Sequence, residues 1–153
     1  QGADAAALAE AMALAADRDR IARQYRDGGA ELFDLGLAAW RRAAGDRPPV
    51  VTTVGLPAAP EPWVVDGVQA VFLAFLASQP DSHIVRKHGE ALAHSVMTAA
   101  QPWVSAQRQG RRPEADPAFA AWDETLKAQG LNPGTSADLT VATLMLAGLL
   151  APG

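Results

Sequence analysis

Apolar residues recur at helical spacing along nearly the whole chain, and this periodicity restricts the fold more than any other feature. Three segments place large apolar side chains three or four residues apart, as on the core-facing side of a helix: Leu32 to Trp40, Val68 to Leu76 and Phe119 to Leu126. The segment Ser136 to Leu150 is apolar nearly all round, which predicts a helix in the core or in a subunit interface. We therefore predict an all-α fold, a single multi-helical domain of about six to seven helices over residues 1–153.

Residues 46–62 interrupt this helical pattern. Five prolines fall there and flank a β-branched run from Val50 to Val54: Pro48, Pro49, Pro57, Pro60 and Pro62. Proline cannot continue a helix and cannot donate to a sheet ladder, so this stretch is predicted to be one long, Pro-rich loop. A loop of this length is either mobile or functional, and mobility is the simpler expectation.

Composition and charge exclude several functions. Hydrophobic residues make up 49% of the chain and charged residues 20%, which predicts a globular protein. The net charge of −4 argues against nucleic acid as a partner, because non-specific binding needs many cations to neutralise phosphates. The chain has no cysteine, which excludes disulfides and thiolate metal sites.

No segment has the pattern of a targeting signal or a membrane span. The longest apolar stretch, Leu139 to Ala151, contains Thr140 and Thr143 and is shorter than the ~20 residues needed to cross a bilayer. The N-terminal residues lack a basic region followed by an apolar run. We therefore expect a cytoplasmic protein with no membrane partner.

The segment 81–89 reads Asp-Ser-His-Ile-Val-Arg-Lys-His-Gly and carries more chemistry than most of the chain. Either Asp81 or Ser82 can cap a long helix that we predict to run to about Ala100. On one continuous helix, a row of polar side chains would lie opposite the apolar face: His83, Lys87, Glu90 and His94.

Two interpretations of this segment remain open. In the functional one, the polar row faces a cleft, Arg86 and Lys87 bind phosphate, and Asp81 binds a metal or positions a hydroxyl. In the simpler one, the row is a solvated helix face and Asp81 is only its cap. A metal pair of His83 and His94 is disfavoured, because metal-binding histidines on a helix are usually spaced i, i+4.

The segment 132–138 reads Asn-Pro-Gly-Thr-Ser-Ala-Asp. Pro133 followed by Gly134 predicts a type II turn leading directly into a helix. The free amides at that helix N-terminus would suit a phosphate. Alternatively, Thr135 and Asp138 form a capping box that fills the same amides without a ligand. Because Asp138 would repel a bare phosphate, the functional interpretation requires Mg²⁺ shared between its carboxylate and a triphosphate.

Together these two segments resemble the paired signatures of the triphosphoribosyl-dephospho-CoA synthase family, which makes the prosthetic-group precursor of citrate lyase and malonate decarboxylase. The matching blocks are Asp-Ser-His-Ile-Val-Arg-Lys-His-Gly and Asn-Pro-Gly-Thr-Ser-Ala-Asp-Leu, and the second is the more specific. The stretch 17–37 and the Arg-Lys-x-Gly form are more similar to the branch found in methylotrophs and methanogens. Two positions depart from the citrate lyase branch: His83 replaces an asparagine and Thr135 replaces a glycine.

The resemblance covers the chain but only the C-terminal portion of a longer family member. The family's N-terminal half carries a Lys-Pro-Gly-Leu-Val type motif that this sequence lacks. The first residue is Gln1 rather than methionine. We therefore expect a piece of a longer protein or a processed chain, and the N-terminal half is an expected partner.

The resemblance implies a transferase that uses ATP and 3′-dephospho-CoA, or a related ATP-dependent step in one-carbon cofactor biosynthesis. A hydroxyl of dephospho-CoA would join the anomeric carbon of ATP's ribose, and adenine would leave with the triphosphate retained. Asp81 and Asp138 would be catalytic and would hold Mg²⁺ or orient the acceptor hydroxyl. The substrate- and nucleotide-binding residues would be Ser82, His83, Arg86, Lys87, Asn132, Gly134, Thr135 and Ser136. Asp17 and Arg18 are weaker candidates, because a helix cap explains Asp17 equally well.

Two other functional classes are compatible with this sequence. The first is a non-catalytic helical module that mediates dimerisation or another interaction, which the apolar final helix suits. A homodimer is an expected partner both for this module and for the transferase. The second is a fragment that binds ATP or dephospho-CoA and cannot react. Solution mass separates a dimer from a monomer, and nucleotide titration separates a binder from a scaffold.

Overall fold

The computed structural model describes residues 20–49 and 60–151 of the 153-residue chain. All regular secondary structure in these two ranges is helical, which confirms the predicted all-α class. A π-helical turn, Leu32–Leu37, continues directly into α2, and a 3₁₀ turn, Pro113–Ala115, precedes α6. The α-helices are α1 Arg20–Arg26, α2 Ala38–Ala44, α3 Pro62–Ser78, α4 Ser82–His88, α5 Glu90–Arg108, α6 Pro117–Ala128 and α7 Gly134–Leu150.

Helix α3 is the centre of the fold, because it packs against α2, α5 and α7. It is apolar on more than one side, so it contributes to two clusters of buried side chains. Val71 and Phe75 pack with residues of the π turn, α2 and α7. Leu73 and Leu76 pack with residues of α4, α5, α6 and the loop before α7. All four side chains are fully buried.

Helix α7 lies beside α3 rather than at the centre. Its inner side buries Leu139, Thr143 and Ala147, whereas its outer side exposes Val141, Met145 and Leu149 to solvent. The sequence predicted that this helix lies either in the core or in a subunit interface. Its exposed apolar side suits the second of these locations, an interface. No described helix combines the length and apolar character needed to cross a membrane.

The π-helical turn changes which side chains face the core. A single stripe from Leu32 to Trp40 was expected to face inward, yet Phe33 is 46% exposed while Gly36 and Leu37 are buried. The wider turn of a π-helix rotates the side chains that follow it, and this accounts for the difference. Gly36 lies so close to α7 that a Cβ atom there would be 2.3 Å from Thr143 Oγ1 and 2.8 Å from Phe75 Cζ.

Only the ends of the predicted 46–62 loop belong to the described residues. Residues 46–49, 60 and 61 are not helical, and residues 50–59 lie outside the described part of the chain. Pro62 is the first residue of α3, where a missing N–H costs nothing. The Arg47 carbonyl accepts a hydrogen bond from Trp40 Nε1 (3.0 Å). The guanidinium of Arg47 lies 4.2 Å from the centre of the Trp63 ring.

The single helix predicted from residue 81 to about Ala100 is wrong. Gly89 has φ 90° and ψ 167°, and it separates α4 from α5. Only glycine adopts this backbone conformation readily, so the break is located at the one glycine in the segment. The predicted continuous polar row is thereby divided. His83 and Lys87 lie on α4, whereas Glu90 and His94 lie on α5.

Candidate functional site

The N-termini of α4 and α7 meet at the carboxylate of Asp81, which is 1% exposed. Its Oδ1 accepts hydrogen bonds from the backbone N–H of His83 (2.9 Å) and of Ile84 (3.2 Å), as expected for an N-cap. Its Oδ2 accepts from Ser136 N (2.7 Å) and from Ser136 Oγ (2.8 Å). One buried carboxylate therefore caps its own helix and also accepts hydrogen bonds from the first turn of α7.

A second set of contacts joins the same two helices. The Thr135 hydroxyl accepts a hydrogen bond from His83 N (3.1 Å), and Thr135 is buried. A Cβ atom on Gly134 would be only 3.1 Å from His83 Cγ, so the imidazole packs directly on the glycine. The capping-box alternative for α7 is wrong, because Thr135 turns to α4 instead of capping its own helix.

The turn that leads into α7 is tighter than predicted. Pro133 has φ −76° and ψ 63°, and Gly134 N donates to Asn132 O (2.8 Å), which together define an inverse γ-turn. A type II turn would need positive φ at Gly134, but Gly134 is already the first residue of α7. The side chain of Asn132 is left at the surface beside this turn.

Ser82 is held by α1. Its Oγ accepts a hydrogen bond from Arg20 N (3.2 Å). The Arg20 side chain is 2% exposed, and it donates to Glu31 Oε2 (2.9 Å from Nε) and to the Phe75 carbonyl (2.8 Å). Burial lowers the pKa of Arg20, and the hydrogen bond and charge of Glu31 oppose that shift. Arg20 and Glu31 were not predicted from the sequence, because Asp-Arg-Asp-Arg at 17–20 has the pattern of an ordinary helix start.

The predicted cations are exposed on α4. Lys87 lies one helical turn after His83, so both side chains project from the same side of the helix. Arg86 is its neighbour, one position earlier. At the end of α4, His88 Nε2 lies 3.0 Å from the Gly130 carbonyl, which connects this helix to the loop before α7.

Asp138 is the exposed carboxylate of the site, in the first part of α7. Over residues 20–49 and 60–151, no group of three or more His, Asp and Glu side chains is placed to hold a metal ion. Asp17 and Arg18 lie outside the described residues.

A cavity of about 380 Å³ opens beside Asn132 and Pro133. Its lining is mostly apolar and comes from α3, α6 and the loop before α7. The side chains of Phe72, Phe119, Trp122, Leu126 and Leu131 line it, with Asp123 and Lys127 on α6. The predicted residue Asn132 thus lines the cavity and lies two residues before Gly134, which contacts His83 at the junction of α4 with α7.

The structure thus divides the predicted site residues into two groups. Those at the junction of the two helices contact one another and are largely buried: Asp81, His83, Gly134, Thr135 and Ser136. Ser82 is also buried, and its hydrogen bond is to Arg20 of α1. Those around the junction are exposed to solvent: Arg86, Lys87, Asn132 and Asp138. The buried group connects the helices, and the exposed group is accessible to a ligand.

Comparison with known proteins gives one family. The family model described as CitG, ATP:dephospho-CoA triphosphoribosyl transferase, matches residues 2–152. No curated protein and no solved structure matches the chain.

Proposed function

This chain belongs to the ATP:dephospho-CoA triphosphoribosyl transferase family, and we propose that the junction of α4 with α7 forms a wall of its active site. Transfer of a triphosphoribosyl group from ATP breaks the bond between ribose C1′ and adenine. A hydroxyl of dephospho-CoA forms the new C–O bond to C1′, adenine leaves, and the hydroxyl proton is transferred to the departing adenine. We place this reaction in the cytoplasm, where both nucleotides are available.

The observation that carries this proposal is the contact between the two signature segments. Residues 81–89 and 132–138 are far apart in the chain, yet Asp81 Oδ2 accepts two hydrogen bonds from Ser136. The exposed groups of both segments consequently lie around one junction. Such an arrangement suits a reaction whose two substrates must be held together.

Lys87 and Arg86 neutralise the triphosphate in this proposal. The chain has a net charge of −4, so a polyphosphate needs local cations to approach the surface. Lys87 is exposed and projects on the His83 side of α4, where the imidazole contacts the first residue of α7. Its ammonium can therefore reach a phosphate bound beside this junction.

The two predicted catalytic carboxylates take different roles. Asp81 accepts four hydrogen bonds from protein groups, so it acts by positioning Ser136 and His83. Asp138 is exposed, and it orients the acceptor hydroxyl or holds Mg²⁺ that arrives with ATP. One carboxylate suffices for that, because Mg²⁺ keeps several waters and takes its other ligands from substrate phosphates.

Replacing Lys87 by alanine should lower kcat/KM about 100-fold, because a charge-assisted contact to the transferring group is lost. The measurement is adenine release from ATP in the presence of dephospho-CoA. Arg108→Ala, which removes one exposed cation at the far end of α5, is the matched control and should change the rate less than twofold. Equal rates for Lys87→Ala and the control would refute the role of Lys87. A wild-type chain that binds both substrates and releases no adenine would refute catalysis by this chain alone and favour the fragment that binds and cannot react.

We also propose that the chain forms a homodimer through the outer side of α7. Val141, Met145 and Leu149 are 58%, 66% and 81% exposed and are spaced four residues apart, so they form one apolar stripe. A contiguous exposed apolar patch commonly marks an interaction site. The same stripe on a second copy would cover it.

Met145→Glu should convert this dimer to a monomer, because each copy would bring an unpaired carboxylate to the interface. Light scattering after size exclusion, at about 100 µM chain, reports the mass. Thr98→Glu adds the same charge at an exposed position of α5 and should leave the dimer intact. A wild-type protein of monomer mass would show that the stripe has another role.

A further inference from the structure

We infer that the aromatic cavity between α3 and α6 binds the adenine base of a nucleotide substrate. This inference rests on the proposed function, since ATP and dephospho-CoA both carry an adenosine group. It adds a subsite that neither signature segment predicts, because most of the lining residues lie outside both of them.

The lining of the cavity suits a flat aromatic group. Its volume of about 380 Å³ lies within the ~300–1,000 Å³ typical of small-molecule sites. Phe72, Phe119 and Trp122 supply aromatic surface on which a base can stack. Leu126 and Leu131, which are 8% and 5% exposed, supply buried aliphatic surface between them.

The aromatic rings are fixed by contacts with one another. The centres of the Phe119 and Trp122 rings are 6.0 Å apart with a 55° angle between the ring planes. Trp103 on α5 packs directly on the Phe119 ring, with the ring centres 5.1 Å apart and an angle of 77° between the ring planes. Because these rings are held before a ligand arrives, little side-chain entropy is lost when a base binds.

One amide gives the cavity a polar edge. Asn132 lines it and has an exposed side chain, and an asparagine amide can both donate to and accept from the edge of adenine. The pantetheine arm of dephospho-CoA fits less well. Its amides need partners along the whole arm, whereas the described lining offers mainly apolar side chains, with Asp123 and Lys127 engaged in a 2.9 Å ion pair.

The position of the cavity connects it to the proposed active site. Asn132 and Pro133 line the cavity, and Gly134 begins α7, where it contacts His83. Two residues span at most about 7 Å, so a base in the cavity places its ribose close to the junction of α4 with α7. The adenosine of ATP and that of dephospho-CoA are both compatible with this placement, and the experiment separates them.

The experiment is calorimetric titration of the whole chain with ATP, with dephospho-CoA and with 4′-phosphopantetheine, which lacks adenosine. Trp122→Ala should weaken binding of the nucleotide whose base occupies the cavity by about 10-fold or more, the loss expected for one stacked base. The affinity for the other nucleotide should stay within twofold of wild type. Trp63→Ala is the matched control, because Trp63 packs on Trp40 and Arg47 in the other core cluster and should leave every affinity unchanged.

A second variant tests the polar edge without disturbing the core. Asn132 is exposed, so Asn132→Ala should fold normally. Wild type should prefer ATP to ITP, or dephospho-CoA to its inosine analogue, and Asn132→Ala should lose that preference. Unchanged nucleotide affinity in Trp122→Ala together with unchanged preference in Asn132→Ala would overturn the cavity assignment and leave the proposed function intact. A wild-type chain that binds neither nucleotide would overturn both.

Discussion

Replacing Asp81 by alanine should lower the free energy of unfolding by about 3–5 kcal/mol. The buried carboxylate accepts four hydrogen bonds, so its removal leaves the amides of Ile84 and Ser136 without an acceptor in a site that excludes water. Hydrogen bonds to a charged group contribute about 1.5–3 kcal/mol each, and their sum is reduced because they share one acceptor group. Urea unfolding followed by circular dichroism measures the change.

Asp116→Ala is the matched control for this prediction. Asp116 is also an aspartate N-cap, but it is exposed and accepts one hydrogen bond, from Ala118 N. Its replacement should cost about 1 kcal/mol, the usual cost of losing a cap. Equal losses for the two variants would mean that the bonds from Asp81 to α7 contribute nothing to stability.

Gly36→Ala should destabilise the protein by about 2–3 kcal/mol, because one added methyl group overfills the contact between the π turn and α7. The Thr143 hydroxyl that it would meet donates to the Leu139 carbonyl (2.8 Å), and the Phe75 ring is fully buried, so neither neighbour can move freely. Thermal and urea unfolding both report the loss.

Gly148→Ala makes the same chemical change on an exposed side of α7. A Cβ atom there would meet no heavy atom within 4 Å, so the substitution should stabilise the chain by up to about 0.5–1 kcal/mol through helix propensity. The two substitutions should therefore change the free energy of unfolding in opposite directions. If Gly36→Ala were also stabilising, the close approach of the π turn to α7 would be refuted.

Local features of the fold could be predicted from the sequence. The periodicity of apolar residues predicts the helices. Asp116 followed by Pro117 also has the sequence pattern of a helix start, and α6 begins there. The break at Gly89 was missed because a glycine within a helical pattern is often tolerated, and only the observed φ of 90° makes it a break. The exposure of Phe33 was missed because a π turn has no reliable sequence signal.

The candidate site was predicted as two separate segments, and their contact was not predicted. Asp81 was expected to cap its own helix, and it does, but nothing local in the sequence reveals that it also binds Ser136, 55 residues away. The contact between Arg20 and Ser82 was not predicted for the same reason, because these residues are 62 positions apart. Contacts of this kind depend on how helices pack, whereas capping and turn preferences depend on neighbouring residues.

The hydrogen bonds from Asp81 to Ser136 also determine the order in which this region can assemble. The bonds from Asp81 to α7 close a loop of 55 residues and must overcome its conformational entropy first. At only seven residues, α4 is too short to persist alone, so it becomes stable when α7 docks. The nucleotide site we propose is therefore a late product of folding, and partial unfolding that releases α7 would abolish it while much of the helical core persists.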